Sequence, residues 1–484
     1  MDALDLGRII KAYDVRGVVP DELSPTAARA IGQAFARVVA VPEGASRVVI
    51  GRDMRDSGPE LVAAFADGVR SAGVDVVLIG QCSTDGLYFA SGRLDAPGAM
   101  FTASHNPARY NGIKLCRAGA RPVGQDSGLA EVRRVAQELL DAGGAGGPDG
   151  PASDAVTGNL TEQDLLGDYA AFLRSLVDLS GIRPLKVVVD AGNGMAGLTA
   201  PAVLGTATGL AELPVELVPM YFELDGSFPN HEANPLEPAN LLDLQAAVVA
   251  QEADLGLAFD GDADRCFVVD ERGAAVSPSA VTALVGLREV EREKAAGRTA
   301  TVIHNLITSR SVPDLLGAAE AEVVRTRVGH SFIKAEMAAH DAVFGGEHSA
   351  HYYFRDFWFA DTGMLAALHV LGALGSQPHP ASALAEMYTP YSASGEINST
   401  VADAGATAER VREVYHEAYP DAVVDTLDGL TVAHWDGLHP QWWFNLRASN
   451  TEPLLRLNVE AADEDIMIKV RDDVLSLVRE EDAT

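Results

Sequence analysis

The sequence predicts an α/β protein built from several domains, and three observations lead to this prediction. The chain has 484 residues, 47% of them apolar, which at ordinary domain size gives about three or four domains with cores of their own. Strand-like apolar runs alternate with helical patterns, as in α/β domains. Similar β-branched runs, each followed by a helical pattern, recur at residues 47–50, 186–190 and 301–303, which indicates three related domains.

Turn-rich segments mark the domain boundaries that the sequence predicts. Residues 142–159 are rich in Gly, Ala, Pro and Asp and form the clearest linker. Thr161 is then typical of a helix cap, before a helical pattern that begins near Leu165. Pro390 and residues 392–395 mark a second boundary, after which we expect a smaller α+β unit.

Composition and charge exclude several classes of partner. The formal net charge of −32 argues against nucleic acid and against an anionic membrane surface, because both would repel the protein. It does not exclude a small anionic substrate in a locally basic pocket, and it fits an acidic host proteome as well as a need for solubility. The first residues lack a signal-peptide layout, no apolar run reaches about 18 residues, and the cysteines are few and scattered. We therefore expect a cytoplasmic protein with no nucleic-acid or membrane partner.

A small hydroxyl stands in a polar turn at residues 102–107, where the sequence is TASHNP. The Asn-Pro step, and the Asn-Gly step a few residues later, predict a loop that exposes Ser104. One interpretation is a serine nucleophile with His105 and Lys114 as cationic neighbours. An ordinary polar turn fits these residue types equally well.

Three alternate carboxylates, Asp260, Asp262 and Asp264, lie between two strand-like runs. Side chains alternate along an extended chain, so the three carboxylates project to one side, where they need a cation between them. Hard oxygen ligands select magnesium or calcium. An EF-hand is excluded because Arg265 stands where that loop needs glycine. An aspartyl-phosphate hydrolase would leave the serine loop unexplained.

Two further segments carry phosphate- and sugar-binding side chains. Arg447 and Arg456 bracket a Ser-Asn-Thr turn, an arrangement that suits bidentate phosphate binding or, equally, a solvated turn. Residues 345–351 bring together Glu347, Ser349 and His351. The first two can hydrogen bond sugar hydroxyls and the histidine can carry a proton near neutral pH. Taken alone, this second segment does not identify a function.

Together and in this order, these motifs resemble the α-D-phosphohexomutase family. The resemblance covers nearly the whole chain and includes further segments at residues 13–17, 51–57, 190–194 and 328–330. It implies four domains around a central cleft: three related α/β domains with mixed sheets, and a smaller C-terminal α+β domain. We expect these domains to cover residues 1–158, 159–274, 275–388 and 389–484.

The resemblance also implies an activity and a set of site residues. The activity is an intramolecular phosphotransfer between hexose 1-phosphate and hexose 6-phosphate, through phosphoserine and a hexose 1,6-bisphosphate that also acts as activator. Mg²⁺ would be held by Ser104, Asp260, Asp262 and Asp264. Catalytic positions match at Ser104, His105, Lys114, Arg16, Arg265 and His351. Substrate-binding positions match at Tyr13, His330, Glu347, Ser349, Arg447, Ser449, Asn450, Thr451 and Arg456.

The substrate is the least determined part of this interpretation. Residues 110–114 and 349–356 favour phosphomannomutases over phosphoglucosamine mutases, so mannose phosphates are expected. However, Asp85 follows Thr84 where many relatives have proline, Ala350 stands where many have glycine, and Asn305 lies near where some place a lysine. Phosphoglucomutase and phosphoglucosamine mutase therefore remain alternatives. More remote ones are a magnesium-dependent sugar phosphatase and a sugar-phosphate binding protein without turnover. The sequence does not decide between a monomer and a dimer.

Overall fold

The computed structural model describes residues 5–11, 13–143, 157–448 and 454–479. These residues form two compact units. The first contains the described residues up to Val276 together with Ser349–Ser382. The second contains Ser277–His348 together with the described residues from Ala383 onwards. The chain therefore leaves the first unit, folds part of the second, returns, and then completes the second.

Short strands recur along the whole of the described chain. In chain order they are β1 (Val15–Val18), β2 (Arg47–Arg52), β3 (Asp75–Gln81), β4 (Gly98–Phe101), β5 (Tyr110–Cys116), β6 (Leu160–Glu162), β7 (Leu185–Asp190), β8 (Val215–Met220), β9 (Leu255–Phe259), β10 (Cys266–Asp270), β11 (Ala275–Val276), β12 (Thr301–Asn305), β13 (Glu322–Thr326), β14 (Phe344–Gly346), β15 (Tyr352–Phe354), β16 (Ala360–Asp361), β17 (Ser392–Thr400), β18 (Val423–Asp425), β19 (Leu430–His434), β20 (Trp442–Ala448) and β21 (Leu454–Ala461).

The α-helices connect these strands. They are α1 (Pro25–Phe35), α2 (Gly58–Ser71), α3 (Thr84–Leu94), α4 (Leu129–Asp141), α5 (Leu166–Leu176), α6 (Ala196–Val203), α7 (Leu242–Ala250), α8 (Pro278–Ala295), α9 (Ser311–Ala318), α10 (His330–His340), α11 (Gly363–Gly375), α12 (Ala381–Glu386), α13 (Ala404–Ala418) and α14 (Glu464–Arg479). Among the described helices, none combines the length and the hydropathy that a membrane crossing requires.

The first sheet of the first unit has the strand order β1-β5-β4-β2-β3-β6 and is mixed. Strands β2, β3, β4 and β6 are parallel, and β5 and β1 pair antiparallel at one side. Phe65 on α2 packs edge-on against Phe101 at the end of β4, with ring centroids 5.4 Å apart. Arg52 is paired with Phe101 in register, so the segments that follow β2 and β4 emerge side by side. The serine loop lies at this end of the sheet, formed by the carboxyl ends of β2 and β4.

The second sheet, with the order β11-β10-β9-β7-β8, carries the aspartate loop. Strands β9 and β10 are antiparallel, and Phe259 and Cys266 form the last pair before the connection, so the three aspartates lie at a hairpin tip as the sequence predicts. Strand β7 runs parallel to β9, with Asp190 paired with Ala258. The turn after β7 therefore lies at the same end of the sheet as the aspartates.

The second unit contains a parallel and an antiparallel sheet region. Strands β13, β12 and β14 are parallel. Helix α8 precedes β12, α9 connects β12 to β13, and α10 connects β13 to β14. The C-terminal sheet, β17-β21-β20-β19-β18, is antiparallel throughout. Its core includes Trp442 and Phe444, which are covered by α13 and α14. Strands β15 and β16, which belong to the first unit, pair antiparallel. The predicted fold class is therefore confirmed: three α/β regions contain parallel and antiparallel strands, and an α+β region follows them. The four predicted boundaries stay a prediction.

Side-chain caps fix where several helices begin. The hydroxyls of Ser24, Ser83 and Thr362 accept backbone N–H groups in the first turns of α1, α3 and α11. The prediction that Thr161 caps a helix is wrong. Thr161 lies in the short strand β6 beside β3, and α5 begins five residues later, where Asp164 accepts the N–H of Leu166 at 3.0 Å.

Asp85, on the first turn of α3, joins three separate segments of the first unit. Its buried carboxylate accepts hydrogen bonds from the hydroxyls of Ser83, of Tyr169 on α5 (2.7 Å) and of Thr362 at the start of α11 (2.6 Å). These hydroxyls replace the water that the carboxylate loses on burial. Burial nevertheless raises the pKa of Asp85 to about 6.

This raised pKa predicts a pH-dependent stability. The native state keeps the proton of Asp85 to a higher pH than the unfolded chain, where the pKa is about 3.9. The group's contribution to the free energy of unfolding is therefore fully present below pH 4 and is lost as the pH rises through 6. As the pH rises from 5 to 7.5, we expect the free energy of unfolding of wild type to fall by about 1–2 kcal/mol relative to that of Asp85→Asn.

Urea unfolding of both proteins across this pH range measures the difference. Asp168→Asn, which removes an exposed carboxylate from the neighbouring helix α5, is the matched control and should keep the wild-type pH profile. Parallel profiles for wild type and Asp85→Asn would contradict the prediction.

Candidate functional site

The serine loop follows β4 and presents Ser104 in a constrained conformation. The residue has φ of +49°, in the left-handed region that non-glycine residues rarely adopt. Its backbone N–H donates to the Thr102 hydroxyl at 2.9 Å, which stabilises the turn. The side chain is 5% exposed. A non-glycine residue held in this region indicates that surrounding contacts fix the loop.

The guanidinium of Arg55 supplies those contacts. Arg55 follows β2, is 1% exposed, and its Nε donates to the Asp53 carboxylate at 3.2 Å. Its remaining N–H groups donate to backbone carbonyls of the serine loop, namely those of Ser104 (2.9 Å), Asn106 (2.6 Å), Pro107 (3.0 Å) and Tyr110 (2.8 Å). The planar guanidinium reaches several carbonyls of a curved loop at once, which the compact ammonium of a lysine cannot do. Sequence reasoning did not assign Arg55 a role, although residues 51–57 carried the family resemblance.

The aspartate loop meets the serine loop. Asp260, Asp262 and Asp264 are buried, and each offers a carboxylate oxygen within 4.8 Å of those of the others. The hydroxyl of Ser104 donates to Asp260 Oδ2 at 2.7 Å. The structure therefore brings together two motifs that are 156 residues apart in sequence.

Two cations balance part of this negative charge. Lys114, on β5, places Nζ 2.7 Å from Asp262 Oδ2 and 2.6 Å from Asp264 Oδ2. Arg265 donates from Nε to Asp260 Oδ2 at 2.9 Å. Burial would raise the pKa of Asp262, but Lys114 holds it below the usual range. Burial raises the pKa of Asp260 to about 8, and Arg265 offsets this only in part.

The cluster of three carboxylates, Asp260, Asp262 and Asp264, suits a hard divalent cation. Lys114 uses the Oδ2 atoms of Asp262 and Asp264, while the Oδ1 atoms of both have no hydrogen-bond partner among the described residues. Carboxylate oxygens are ligands that Mg²⁺ prefers. Asp264 also lies in a second group with His351 and Asp361. The imidazole of His351 makes this second group less suited to Mg²⁺ than the group of three carboxylates.

His105 is not the cation that the sequence suggested. Its Nδ1 lies 3.1 Å from Ser104 Oγ and 2.7 Å from the guanidinium of Arg265. Burial and the charge of Arg265 lower the pKa of His105 to about 2, so the ring is neutral and Nδ1 accepts. Lys114 and Arg265 are cations that donate to the aspartates.

The other predicted site residues of the first unit lie around the same loops. His351 Nε2 is 3.7 Å from Asp264 Oδ1, and its Nδ1 is 3.0 Å from the Ser349 hydroxyl. Arg16, on β1, donates to the side chains of Asn106 in the serine loop and of Asp14. Tyr13 is half-buried just before β1.

Glycine at position 261 lets the two loops approach. A Cβ at Gly261 would lie 2.4 Å from the carbonyl oxygen of Ser104, far inside van der Waals contact. The turn after β7 supports the hairpin tip from its other side, because Met195 donates its N–H to the Gly261 carbonyl at 2.9 Å. The close approach of Ser104 and Asp260 thus depends on the absence of a side chain between them.

In the second unit, Glu347 follows β14 and is buried. Its Oε1 accepts from Asn305 Nδ2 at 3.1 Å and from the N–H of Gly329 at 3.2 Å. His330, next to Gly329, is half-buried and begins α10. Asn305, noted in the sequence as a departure from relatives, therefore positions this carboxylate.

Arg447 and Arg456 are directly opposite each other on β20 and β21. Glu396 on β17 lies beside both, with Oε1 3.2 Å from Arg456 and Oε2 4.0 Å from Arg447. The Nε atoms of both arginines are buried without a partner among the described residues. Sequence reasoning missed Glu396, because its neighbours come from strands 50–60 residues away. The predicted residues Ser449, Asn450 and Thr451 lie outside the described part of the chain.

Comparison with known families gives matches along most of the chain. Family models described as phosphoglucomutase/phosphomannomutase, alpha/beta/alpha domains I, II and III, match residues 7–139, 167–273 and 277–391. The C-terminal domain model of the same family matches residues 396–477.

Similar proteins are found among curated sequences and solved structures. Phosphomannomutase of Salmonella montevideo is 38% identical over 463 residues, covering 95% of this chain and 96% of the relative. Phosphohexose mutases of Xanthomonas campestris pv. campestris are 38% identical, covering 96% and 98%. The structure of a phosphoglucomutase/phosphomannomutase family protein from Burkholderia thailandensis matches with a TM-score of 0.82 and 31% identity, over 98% of each chain.

Arg55→Lys tests how the serine loop is held. Hydrogen bonds from a charged donor contribute about 1.5–3 kcal/mol each, and a lysine ammonium can replace only part of this set. We expect a loss on the order of 3 kcal/mol in the free energy of unfolding. Hydrogen exchange in the segment after β4 should also become faster.

Arg52→Lys is the matched control. The half-buried Arg52 donates to the carbonyl of Asp53 at 3.2 Å, and among the described residues its side chain makes no hydrogen bond to the serine loop. Unchanged stability and unchanged exchange in Arg55→Lys would show that the loop holds its shape without this guanidinium.

Proposed function

The chain belongs to the phosphoglucomutase/phosphomannomutase family, and from this premise we propose that it interconverts mannose 1-phosphate and mannose 6-phosphate. The family and the relatives make it a hexose-phosphate mutase. The observation that carries the proposed chemistry is the 2.7 Å hydrogen bond from Ser104 to Asp260, one of three clustered carboxylates. Mannose is proposed because two curated Salmonella relatives at 38% identity are named phosphomannomutases.

Ser104 is the proposed carrier of the phosphoryl group. In phosphoserine form it gives the phosphoryl to the free hydroxyl of a hexose monophosphate, so that the bond from Ser104 Oγ to phosphorus breaks and a hexose bisphosphate forms. The bisphosphate turns end for end, and its other phosphoryl returns to Ser104 Oγ. Such transfers depend on positioning and charge neutralisation more than on covalent activation. The fixed backbone of Ser104 supplies the positioning.

The charged groups around Ser104 have separate proposed tasks. Bound Mg²⁺, held by Asp260, Asp262, Asp264 and the serine phosphate, would supply Lewis-acid neutralisation of the transferring phosphoryl group. Lys114 and Arg265 add fixed positive charge beside the same carboxylates. His351 Nε2 faces Asp264, and we assign it to take the proton of the attacking hydroxyl and to return a proton to the leaving oxygen.

Residues of the second unit are proposed to recognise the substrate. Glu347, held by Asn305 and Gly329, accepts hydrogen bonds from sugar hydroxyls. Arg447 and Arg456 bind the phosphate that is not reacting, because the two arginines are paired in register on β20 and β21 and offer guanidinium donors from adjacent strands. A hexose 1,6-bisphosphate added from solution would prime Ser104 and so act as activator.

Incubation with mannose 1-phosphate tests the function. We expect mannose 6-phosphate without an equal release of free phosphate, loss of turnover on chelation, and recovery with Mg²⁺. Free phosphate without isomer would favour a phosphatase, and neither product would favour a binding protein. Glucose and glucosamine 1-phosphates, assayed in parallel, test the substrate, and a preference for glucosamine phosphate would overturn the assignment to mannose.

Ser104→Ala should abolish mutase turnover. The variant lacks the phosphoryl acceptor, while loss of one hydroxyl costs little stability. Intact mass should show a phosphate-sized increment on the native protein after incubation with hexose bisphosphate, and none on the variant. Ser175→Ala, which removes an exposed hydroxyl from α5, should keep both turnover and increment. Near-native turnover by Ser104→Ala would end the phosphoserine proposal.

Arg447→Ala should weaken binding of the non-reacting phosphate. Loss of one charge-assisted contact costs roughly 1.5–3 kcal/mol, or about ten- to a hundredfold in affinity. The Michaelis constant for hexose monophosphate should rise by this factor, and a rapid-quench time course should show more free bisphosphate. Arg471→Ala is the control, since Arg471 pairs with Asp472 on the surface of α14. An unchanged Michaelis constant with no extra bisphosphate would remove Arg447 from the phosphate site.

A further inference from the structure

We propose that Thr84 is a positioning residue that orients Asp262 for its divalent cation. This inference rests on the metal site of the proposed function. Thr84 is the first residue of α3 and is fully buried. Its hydroxyl donates to Asp262 Oδ2 at 2.6 Å, and its backbone N–H donates to the carbonyl oxygen of Asp262 at 3.0 Å. Thr84 thus hydrogen bonds to both the side chain and the backbone of the same aspartate.

The two oxygens of Asp262 are used unequally. Oδ2 accepts both the Thr84 hydroxyl and the Lys114 ammonium, at 2.6 and 2.7 Å. Oδ1 has no hydrogen-bond partner among the described residues. A carboxylate held by two donors on one oxygen presents its other oxygen in a defined direction. Lys114 alone fixes this direction less well, because its charge attracts both oxygens and is shared with Asp264.

Thr84 itself has little freedom to move. Threonine is branched at Cβ, which restricts rotation of its side chain. The residue before it, Ser83, caps α3, and the residue after it, Asp85, is tied by hydroxyls to α5 and α11. The N-terminus of α3 therefore acts as a rigid base from which the hydroxyl reaches the aspartate loop.

A merely structural role would be a tie between α3 and the aspartate hairpin. That role predicts loss of stability without a specific effect on the cation. A positioning role predicts weaker cation binding even where stability is kept. Removal of partners that orient metal ligands typically costs about 10- to 100-fold in metal affinity.

Calorimetric titration with Mg²⁺ alone, without sugar phosphate, separates these roles. Each protein is used in the same phosphorylation state of Ser104, verified by intact mass. Thr84→Val keeps the shape but lacks the hydroxyl, and we expect affinity about 10- to 100-fold weaker than wild type. Thr84→Ser restores the donor and should bind Mg²⁺ within about threefold of wild type.

Thr362→Val is the matched control. It removes a buried hydroxyl from the same network around Asp85, but that hydroxyl bonds to Asp85 and Leu365 and not to Asp262. We expect reduced stability with Mg²⁺ affinity unchanged. The inference is overturned if Thr84→Val binds Mg²⁺ like wild type, or if Thr362→Val weakens binding equally. Absence of Mg²⁺ binding by wild type would overturn the metal site itself, and this inference with it.

Discussion

The buried guanidinium of Arg55 is the constraint on which the rest of the site depends. A loop that holds Ser104 in a strained backbone conformation cannot keep its shape by local turn chemistry alone. Arg55 donates to the loop carbonyls of Ser104 and Asn106, and Asp53 compensates its charge inside the protein. The position of Ser104, and through it the contact with Asp260, follows from this arrangement.

The charges around the aspartate cluster suit a divalent cation. Three clustered carboxylates adjoin two cations, Lys114 and Arg265. Burial raises the pKa of Asp260, and Arg265 offsets this only in part. A phosphoryl group on Ser104 would add about −1.5 to −2 more. Bound Mg²⁺ would offset this negative charge, so that the carboxylates and the phosphoryl group can share one small space.

Sequence reasoning reached those features that short segments encode. The fold class followed from the alternation of strands and helices, and the aspartate loop was placed at a hairpin tip by its flanking strands. The carrier role proposed for Ser104 rests on a motif, and the contact of Ser104 with Asp260 appears only in three dimensions. Features that depend on distant partners were not predicted. The neutral state of His105 comes from burial and from Arg265, and the roles of Arg55 and Glu396 come from partners far away in sequence. Thr161 shows the same limit, because pairing with β3 outweighs its local preference for a helix start.

The contact between Gly261 and the carbonyl of Ser104 has a consequence for how such proteins diverge. Backbone atoms of the two loops touch where a single methyl group would not fit. The loops therefore form one steric unit, although they belong to different sheets. Drift in the shape of either loop is tolerated only together with a matching change in the other. A chimera that exchanges one of these loops between relatives should accordingly carry its companion with it.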